Sequence, residues 1–394
     1  MSRLPFAAAL CAATLATSGT AMAQADFNSC LAGIRATAAQ QGVSGGTFDR
    51  VMAGVTPDPK VIESMNAQPE FKTPIWDYLA TLVDEQKVAE GRQMMSRHAQ
   101  ALASAEQRFG VDRYTIAAVW GVESDYGKIA GRWMLPQSLA TLACTANRRQ
   151  AYFRGELIAT LKIVDRGDIA PSKLRGSWAG AMGHTQFMPS SYMKYAVDQT
   201  GDGHADIWNS SSDAIASTAN YLKSFGWVPG LPWGIEVVVP EGFDHNLYRA
   251  SFASFRSAGL RRADGGSLPS SGEARLFYPA GHTGPALLLT ANFDVIKKYN
   301  SSDAYALAVG HLGDRIVGRP ALQGEWPVKA PRLDMKGVTD LQHRLKRLGL
   351  YSHDADGRIG TGTRDAVRQY QQRAGLLADG WPTPALLARM KAAR

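Results

Sequence analysis

Residues 114–126 constrain this chain more than any other stretch. Ile116, Ala117, Val119, Trp120 and Val122 place apolar side chains around most of the circumference of a helix, and a helix that is apolar on nearly every side is stable only when other elements surround it. The chain must therefore build a mainly helical core about this segment, and Gly127 stands where a helix stop belongs. Glu123 is the exception on that helix. A carboxylate near the end of a buried helix is desolvated, which disfavours its charged form and keeps it protonated enough to act as an acid. A glycosidase obtains its proton donor in this way. The plainer alternative is a helix-end Glu paired with a base such as Lys128 or Arg132.

The 394 residues suffice for one sizeable core and a small extra module, so two domains are expected. Residues 1–23 stand apart. Met1-Ser2-Arg3, an apolar run over 4–15 and Ala21-Met22-Ala23 read as a cleaved signal peptide, the run being well short of the ~20 residues that span a bilayer. A periplasmic protein with no membrane anchor in its mature chain follows. Loss of the signal removes Cys11 and leaves Cys30 and Cys144 in a compartment where disulfides persist. One structural bridge is the favoured reading; two separate buried thiols are the alternative. The net charge of +8, or +7 without Arg3, suits an anionic partner. An exported chain rarely meets nucleic acid, whereas the cell wall is also polyanionic.

Helical patterning runs from 25 to about 104, with Ile75, Leu79, Leu82 and Val83 on one face. It resumes at 149–164, 190–196 and 213–225. Short apolar or β-branched runs at 235–239 and 287–289, bounded by Pro and Gly, read as strands. The fold class is thus α+β and predominantly α, with a small β element. Gly318, Pro320, Gly324, Pro327 and Pro331 mark residues 318–332 as a linker between a main domain over 24–317 and a module over 333–394. In the module, Val338, Leu341, Leu345 and Leu348 make one helical stripe and Ala366, Val367 and Tyr370 another, consistent with a small three-helix domain. Asp356-Gly357 and Asp379-Gly380 form a weak internal echo, each a turn leading into the next helix.

A second segment, Gly176-Ser177-Trp178-Ala179-Gly180-Ala181-Met182-Gly183-His184-Thr185-Gln186-Phe187-Met188-Pro189-Ser190, repeats Gly and Ala, which let backbone approach a ligand closely. Gln, Phe and Met add a polar hand and an apolar surface for a sugar ring; by composition alone it would equally serve helix packing. Together, Glu123-Ser124-Asp125-Tyr126-Gly127 and Ala179-Gly180-Ala181-Met182-Gly183-x-x-Gln186-Phe187-Met188-Pro189-Ser190 resemble the lytic murein transglycosylase B family, over residues 27–315. The resemblance implies a lysozyme-like catalytic domain in which Glu123 is the catalytic acid and base. Ser177 and Gln186 would hold the reacting sugar and orient the glutamate. Phe187, Met188 and Tyr221 would wall the cleft, Arg148 and Arg149 face the saccharide or its peptide, and Tyr299, Asn300 and Tyr305 belong to a segment that closes the cleft.

Retaining and inverting hydrolases generally use two carboxylates. The obvious second candidate, Asp125, is only two residues from Glu123, so a regular helix points it to a different side. The resemblance implies a one-acid route instead. Glu123 protonates the oxygen between N-acetylmuramic acid and N-acetylglucosamine, then takes a proton from the primary hydroxyl of the same muramic acid, which closes a 1,6-anhydro ring without water. A hydrolytic muramidase and a non-catalytic wall-binding scaffold are the competing readings.

Asp198, Thr200 and Asp202 fall at the first, third and fifth positions of a loop with Gly203 at the sixth, like the start of a calcium loop. With His204 and a distant closing Asp213, it is a candidate site for a structural calcium or sodium ion of weak affinity. Asn209 stands where such loops carry Glu, and no cofactor is required for catalysis. The tail resembles the peptidoglycan-binding domain type 1 through Leu341-Gln342-x-x-Leu345-x-x-Leu348-Gly349 and Asp356-Gly357-Arg358-Ile359-Gly360-x-x-Thr363. Its 3 Lys and 8 Arg against 6 Asp and no Glu give +5, suited to an anionic wall. With only His343 and His353 available, no metal is expected there. The implied partners are peptidoglycan glycan strands, with wall-synthesis or division proteins as further candidates, and the chain is expected to act as a monomer.

Overall fold

The computed structural model describes residues 15–67 and 73–392, with side chains from residue 25 on. Most of the expected signal peptide lies outside the described residues. The chain divides into two compact units, Met1–Ala67 with Ile129–Ser210, and Gln68–Lys128 with Ser211–Arg394.

In the first unit, the helices Leu135–Thr145 and Gln150–Asp165 pack on each other along buried Leu139, Leu142, Leu157 and Leu161. The helices Leu15–Gln40, Gly45–Met52, Pro59–Ala67 and Pro189–Tyr195 complete it. Two short strands, β1 (Trp133–Met134) and β2 (Arg175–Gly176), pair antiparallel. Cys30 and Cys144 are joined in a disulfide across 114 residues of sequence, so the single bridge is the reading that holds. In the chain-entropy account, closing so long a loop stabilises the fold by about 5 kcal/mol.

In the second unit the helix Arg113–Ser124 occupies the centre, as its all-round apolar pattern requires. Ile116, Ala117, Ala118 and Val119 are wholly buried. The helices Glu85–Arg97, Ala99–Phe109, Ser211–Ser224 and Asp303–Ile316 pack around it. Beyond lies a five-stranded antiparallel sheet of β3 (Gly234–Val238), β4 (Arg249–Ser251), β5 (Arg261–Arg262), β6 (Glu273–Phe277) and β7 (Ala286–Leu289), in the order β4-β6-β7-β3-β5. The two strands read from the sequence are neighbours, with Ile235 opposite Leu288. Leu276 and Leu288 pack with Phe252, Phe255 and Leu260 into a second core.

The same unit ends in three helices, Met335–Arg347, Thr361–Arg373 and Pro384–Ala392, around Leu341, Leu345, Val367, Leu386 and Leu387. The echo in their sequence is a structural repeat. Gln342 bonds Asp356 at 3.0 Å and accepts from Gly357 N at 2.8 Å. Gln371 bonds Asp379 at 2.7 Å and accepts from Gly380 N at 2.8 Å. Each buried amide thus closes one Asp-Gly turn. Among the described residues no helix is long and apolar enough to cross a membrane.

Candidate active site

Glu123 lies one residue before the end of the helix Arg113–Ser124. Asp112 opens that helix, its carboxylate accepting from Thr115 N at 2.8 Å. The other end stops abruptly, because Asp125, Tyr126 and Gly127 all adopt left-handed backbone with φ of 52°, 58° and 87°. Two of these are not glycine, and each such residue costs on the order of 1 kcal/mol or more. Side-chain contacts offset that strain. The Asp125 carboxylate meets Lys87 Nζ at 2.6 Å and Lys128 Nζ at 3.3 Å, and the Lys87 hydrogen bond above all holds it below the usual carboxylate range. Tyr126 folds back over Gly121 and donates its hydroxyl to the Lys87 carbonyl at 3.0 Å. A Cβ on Gly121 would stand 2.6 Å from the tyrosine ring, so only glycine leaves room for the turn.

This arrangement answers the question of who pairs with Glu123. Lys128 is engaged by Glu90 at 2.7 Å and by Asp125. Asp125, as its spacing implies, is drawn away to Lys87. Glu123 itself stays partly exposed. Its carboxyl nevertheless sits deep enough that burial pushes it up to about 7, opposed only by a hydrogen bond from Tyr305. Among the described residues no carboxylate contributes to that shift. The Tyr305 hydroxyl donates to Glu123 Oε1 at 2.5 Å, a short charge-assisted bond.

Tyr305 is 2% exposed and sits in the first turn of the helix Asp303–Ile316, where the Ser302 hydroxyl accepts from its backbone N–H. Its direct hold on the glutamate has no local signal in the sequence, since 182 residues separate the two. Nearby in the same unit, the Tyr221 ring packs on Tyr299 at 4.7 Å and its hydroxyl donates to the Lys298 carbonyl at 2.6 Å. Tyr221 is therefore mostly enclosed and braces the 298–299 backbone. Asn300 is exposed, and its Oδ1 accepts from Ser302 N at 3.1 Å, which fixes the entry into the Tyr305 helix.

In the other unit the Gly- and Ala-rich segment forms a tight loop. Ser177 N donates to the Ala181 carbonyl at 2.8 Å, and Ser177 Oγ accepts from Ala181 N at 3.0 Å. The close approach that the small residues allow is of the loop to itself: a Cβ on Gly176 would run into the Ala181 carbonyl. Gln186, at φ 50°, donates to the carbonyls of Gly183 at 2.9 Å and Ala130 at 3.2 Å. Its amide nitrogen is thus committed to the loop. Phe187 is 2% exposed and its backbone pairs with Met182, so its ring is enclosed. Met188 is partly exposed at the start of the helix Pro189–Tyr195. Arg148 and Arg149 are both exposed; Arg148 donates to the Met65 carbonyl at 3.0 Å, and Arg149 stacks over Tyr152 at 4.2 Å.

The 198–213 loop fits an ion poorly. Both Asp198 oxygens are taken by backbone, Oδ1 by Gly201 N at 2.6 Å and Oδ2 by Gly203 N at 2.8 Å, and Thr200 also leans on Asp198. Asp202 accepts from His204 N at 3.0 Å, and Asp213 is wholly buried in the helix Ser211–Ser224. Among the described residues no three His, Cys, Asp or Glu side chains converge as a metal-holding group.

Residues 26–314 match the family model of the transglycosylase SLT domain, and residues 334–390 match that of a peptidoglycan binding domain. Membrane-bound lytic murein transglycosylase B of Escherichia coli (strain K12) is 36% identical over 245 residues, covering 61% of this chain and 66% of that protein. The chain thus spans just under two thirds of that relative's length. SltB3 from Pseudomonas aeruginosa, solved in complex with NAG-anhNAM-pentapeptide, superposes with a TM-score of 0.86 at 45% identity, over 93% of this chain and 99% of that one. Escherichia coli Slt35, solved in complex with calcium, gives 0.63 at 30% identity, over 74% and 92%. These likenesses bear out the expected lysozyme-like architecture, and the match over residues 26–314 places the chain in the transglycosylase SLT family.

Proposed function

We propose that the protein is a lytic transglycosylase that cuts the β-1,4 bond between N-acetylmuramic acid and N-acetylglucosamine in peptidoglycan, with Glu123 as its acid and base. The observation that carries this reading is a carboxyl raised to about 7 by burial and steadied by Tyr305, with no other carboxylate among the described residues contributing to that shift. Near neutral pH such a group is about half protonated, so it can both give and take a proton, the condition for efficient general acid–base catalysis. In the first step the Glu123 proton moves to the bridging oxygen as the bond from it to the muramic C1 breaks, and the acetamido group of the substrate shares the positive charge. In the second, the carboxylate takes the proton of the muramic C6 hydroxyl as that oxygen bonds to C1. Glu123 ends protonated again, the ring is a 1,6-anhydro sugar, and no water is consumed. A hydrolase would instead need a partner carboxylate ~5–9.5 Å away.

The layout that supports this is a leader over 1–23, a catalytic domain over 24–317, a linker over 318–332 and a wall-binding module over 333–394, with action in the periplasm as a monomer on glycan strands. Ser177, Gln186, Met188, Arg148, Arg149, Tyr299 and Asn300 serve the saccharide. Phe187 and Tyr221 belong to the cleft walls in this reading, Tyr221 bracing the 298–299 backbone. No step needs a metal. The test is digestion of purified sacculi followed by mass spectrometry: the wild type should release products lighter by one water than hydrolytic ones, and Glu123→Gln should release none. Reducing-end muramic acid throughout would mean a muramidase, and no cleavage by the wild type would mean a scaffold.

A further inference from the structure

The C-terminal helices do more than reach for the wall. Arg364, on the helix Thr361–Arg373, is 7% exposed and donates to the carbonyls of Tyr278 and Pro279 at 2.9 Å each. Its guanidinium packs between Phe277 and Trp381, at 4.7 and 4.9 Å from their ring centres. These four contacts fix the charge in place, and its remaining Nε faces Asp303 Oδ2 at 3.5 Å. The other Asp303 oxygen meets Lys297 Nζ at 2.6 Å. Asp303 thus lies between a close lysine and a longer ion pair in which neither Arg364 Nε nor Asp303 Oδ2 forms a hydrogen bond, and it is the first residue of the helix whose third residue, Tyr305, holds Glu123.

A tether would not need that geometry. The module is also docked by His282 on Asp379 at 3.2 Å and by Arg368 over the Tyr248 ring at 4.4 Å, neither of which touches the start of the Tyr305 helix. Among the described residues Arg364 is the module's cation paired with Asp303, while Thr361 Oγ1 of the module accepts from Lys297 Nζ at 2.7 Å. Asp303 and Tyr305 share one helical turn, and a displacement below 1 Å carries a 2.5 Å hydrogen bond out of good geometry.

We infer that Arg364 and Asp303 are positioning residues: the C-terminal module sets the first turn of the helix Asp303–Ile316, and through Tyr305 it aims the Glu123 carboxyl. The inference rests on Glu123 as the catalytic acid. The test uses the full chain and a soluble tetrasaccharide of alternating N-acetylglucosamine and N-acetylmuramic acid, too short to reward wall binding. Arg364→Lys and the near-isosteric Asp303→Asn should each lower kcat by about tenfold or more with KM held within twofold, since ~1 Å of misplacement can cost ~10²-fold. The alkaline limb of the pH–rate profile should move up in both. His282→Ala, which loosens docking without touching Asp303, should leave kcat at the wild-type value. On a Tyr305→Phe background, Arg364→Lys should add no further loss. Wild-type kcat and pH limb in both variants, or full additivity with Tyr305→Phe, would overturn the inference. Retained cleavage by Glu123→Gln in the same assay would instead remove the catalytic reading beneath it.

Discussion

Replacing Tyr305 with Phe takes away one oxygen and leaves a buried ring in place. That oxygen donates the 2.5 Å bond to Glu123, the sole interaction that favours the ionised carboxyl against a burial that has already pushed it up to about 7. Hydrogen bonds to charged groups are worth roughly 1.5–3 kcal/mol, and each 1.36 kcal/mol is one pH unit. The carboxyl should therefore climb by about one to two pH units. The alkaline limb of kcat/KM reports the acid of the free enzyme, so it should move to higher pH by that amount in the Tyr305→Phe variant. The plateau should fall as well, because the carboxyl loses its orientation. Release of anhydro products measured from pH 5 to 10 gives both quantities. A limb that stays put, or moves to lower pH, would refute the view that Tyr305 tunes the acid.

The Glu123→Gln variant carries a stability signature apart from its activity. Because the folded carboxyl titrates at about 7 against an ordinary 4.5, the folded state binds the proton more tightly, and its contribution is fully present below about 4.5 and lost as pH rises through 7. Urea denaturation should find Glu123→Gln unchanged at pH 4 and more stable by roughly 3 kcal/mol at pH 8; equal stabilities at both pH values would contradict the burial argument. Gly121→Ala should lower stability despite the ~1 kcal/mol that alanine offers a helix, because its Cβ would meet the Tyr126 ring at 2.6 Å and overpacking of that kind costs ~1–3 kcal/mol. A raised melting temperature would show that the ring moves aside freely.

The buried helix, its lone Glu and the divergence of Asp125 were all legible, because they follow from helical period and burial over a dozen adjacent residues. The partners of those residues were not. Lys87 reaches Asp125 across 38 positions and Tyr305 reaches Glu123 across 182, and no local pattern encodes such pairings. Three strands of the sheet were missed for a different reason. β4 and β5 are three and two residues long, and β6, Glu-Ala-Arg-Leu-Phe, lacks the β-branched run that marked β3. Phe187 shows the limit of composition: a ring beside glycines suggests an open surface, yet it is 2% exposed. In the calcium-like loop the spacing of oxygens is present, but Asp198 spends both on its own turn.

The sharp left-handed stop after Ser124 also sets the electrostatics of the acid. Peptide dipoles aligned along the helix leave a partial negative charge at its C-terminal end, which disfavours a carboxylate there by ~0.3–1 kcal/mol. By ending the helix one residue past Glu123, the turn places the acid in that field, where its proton is held more firmly than mid-helix. The residues that bend the chain, Gly121 and Tyr126 among them, thereby take part in setting acidity without touching the carboxyl.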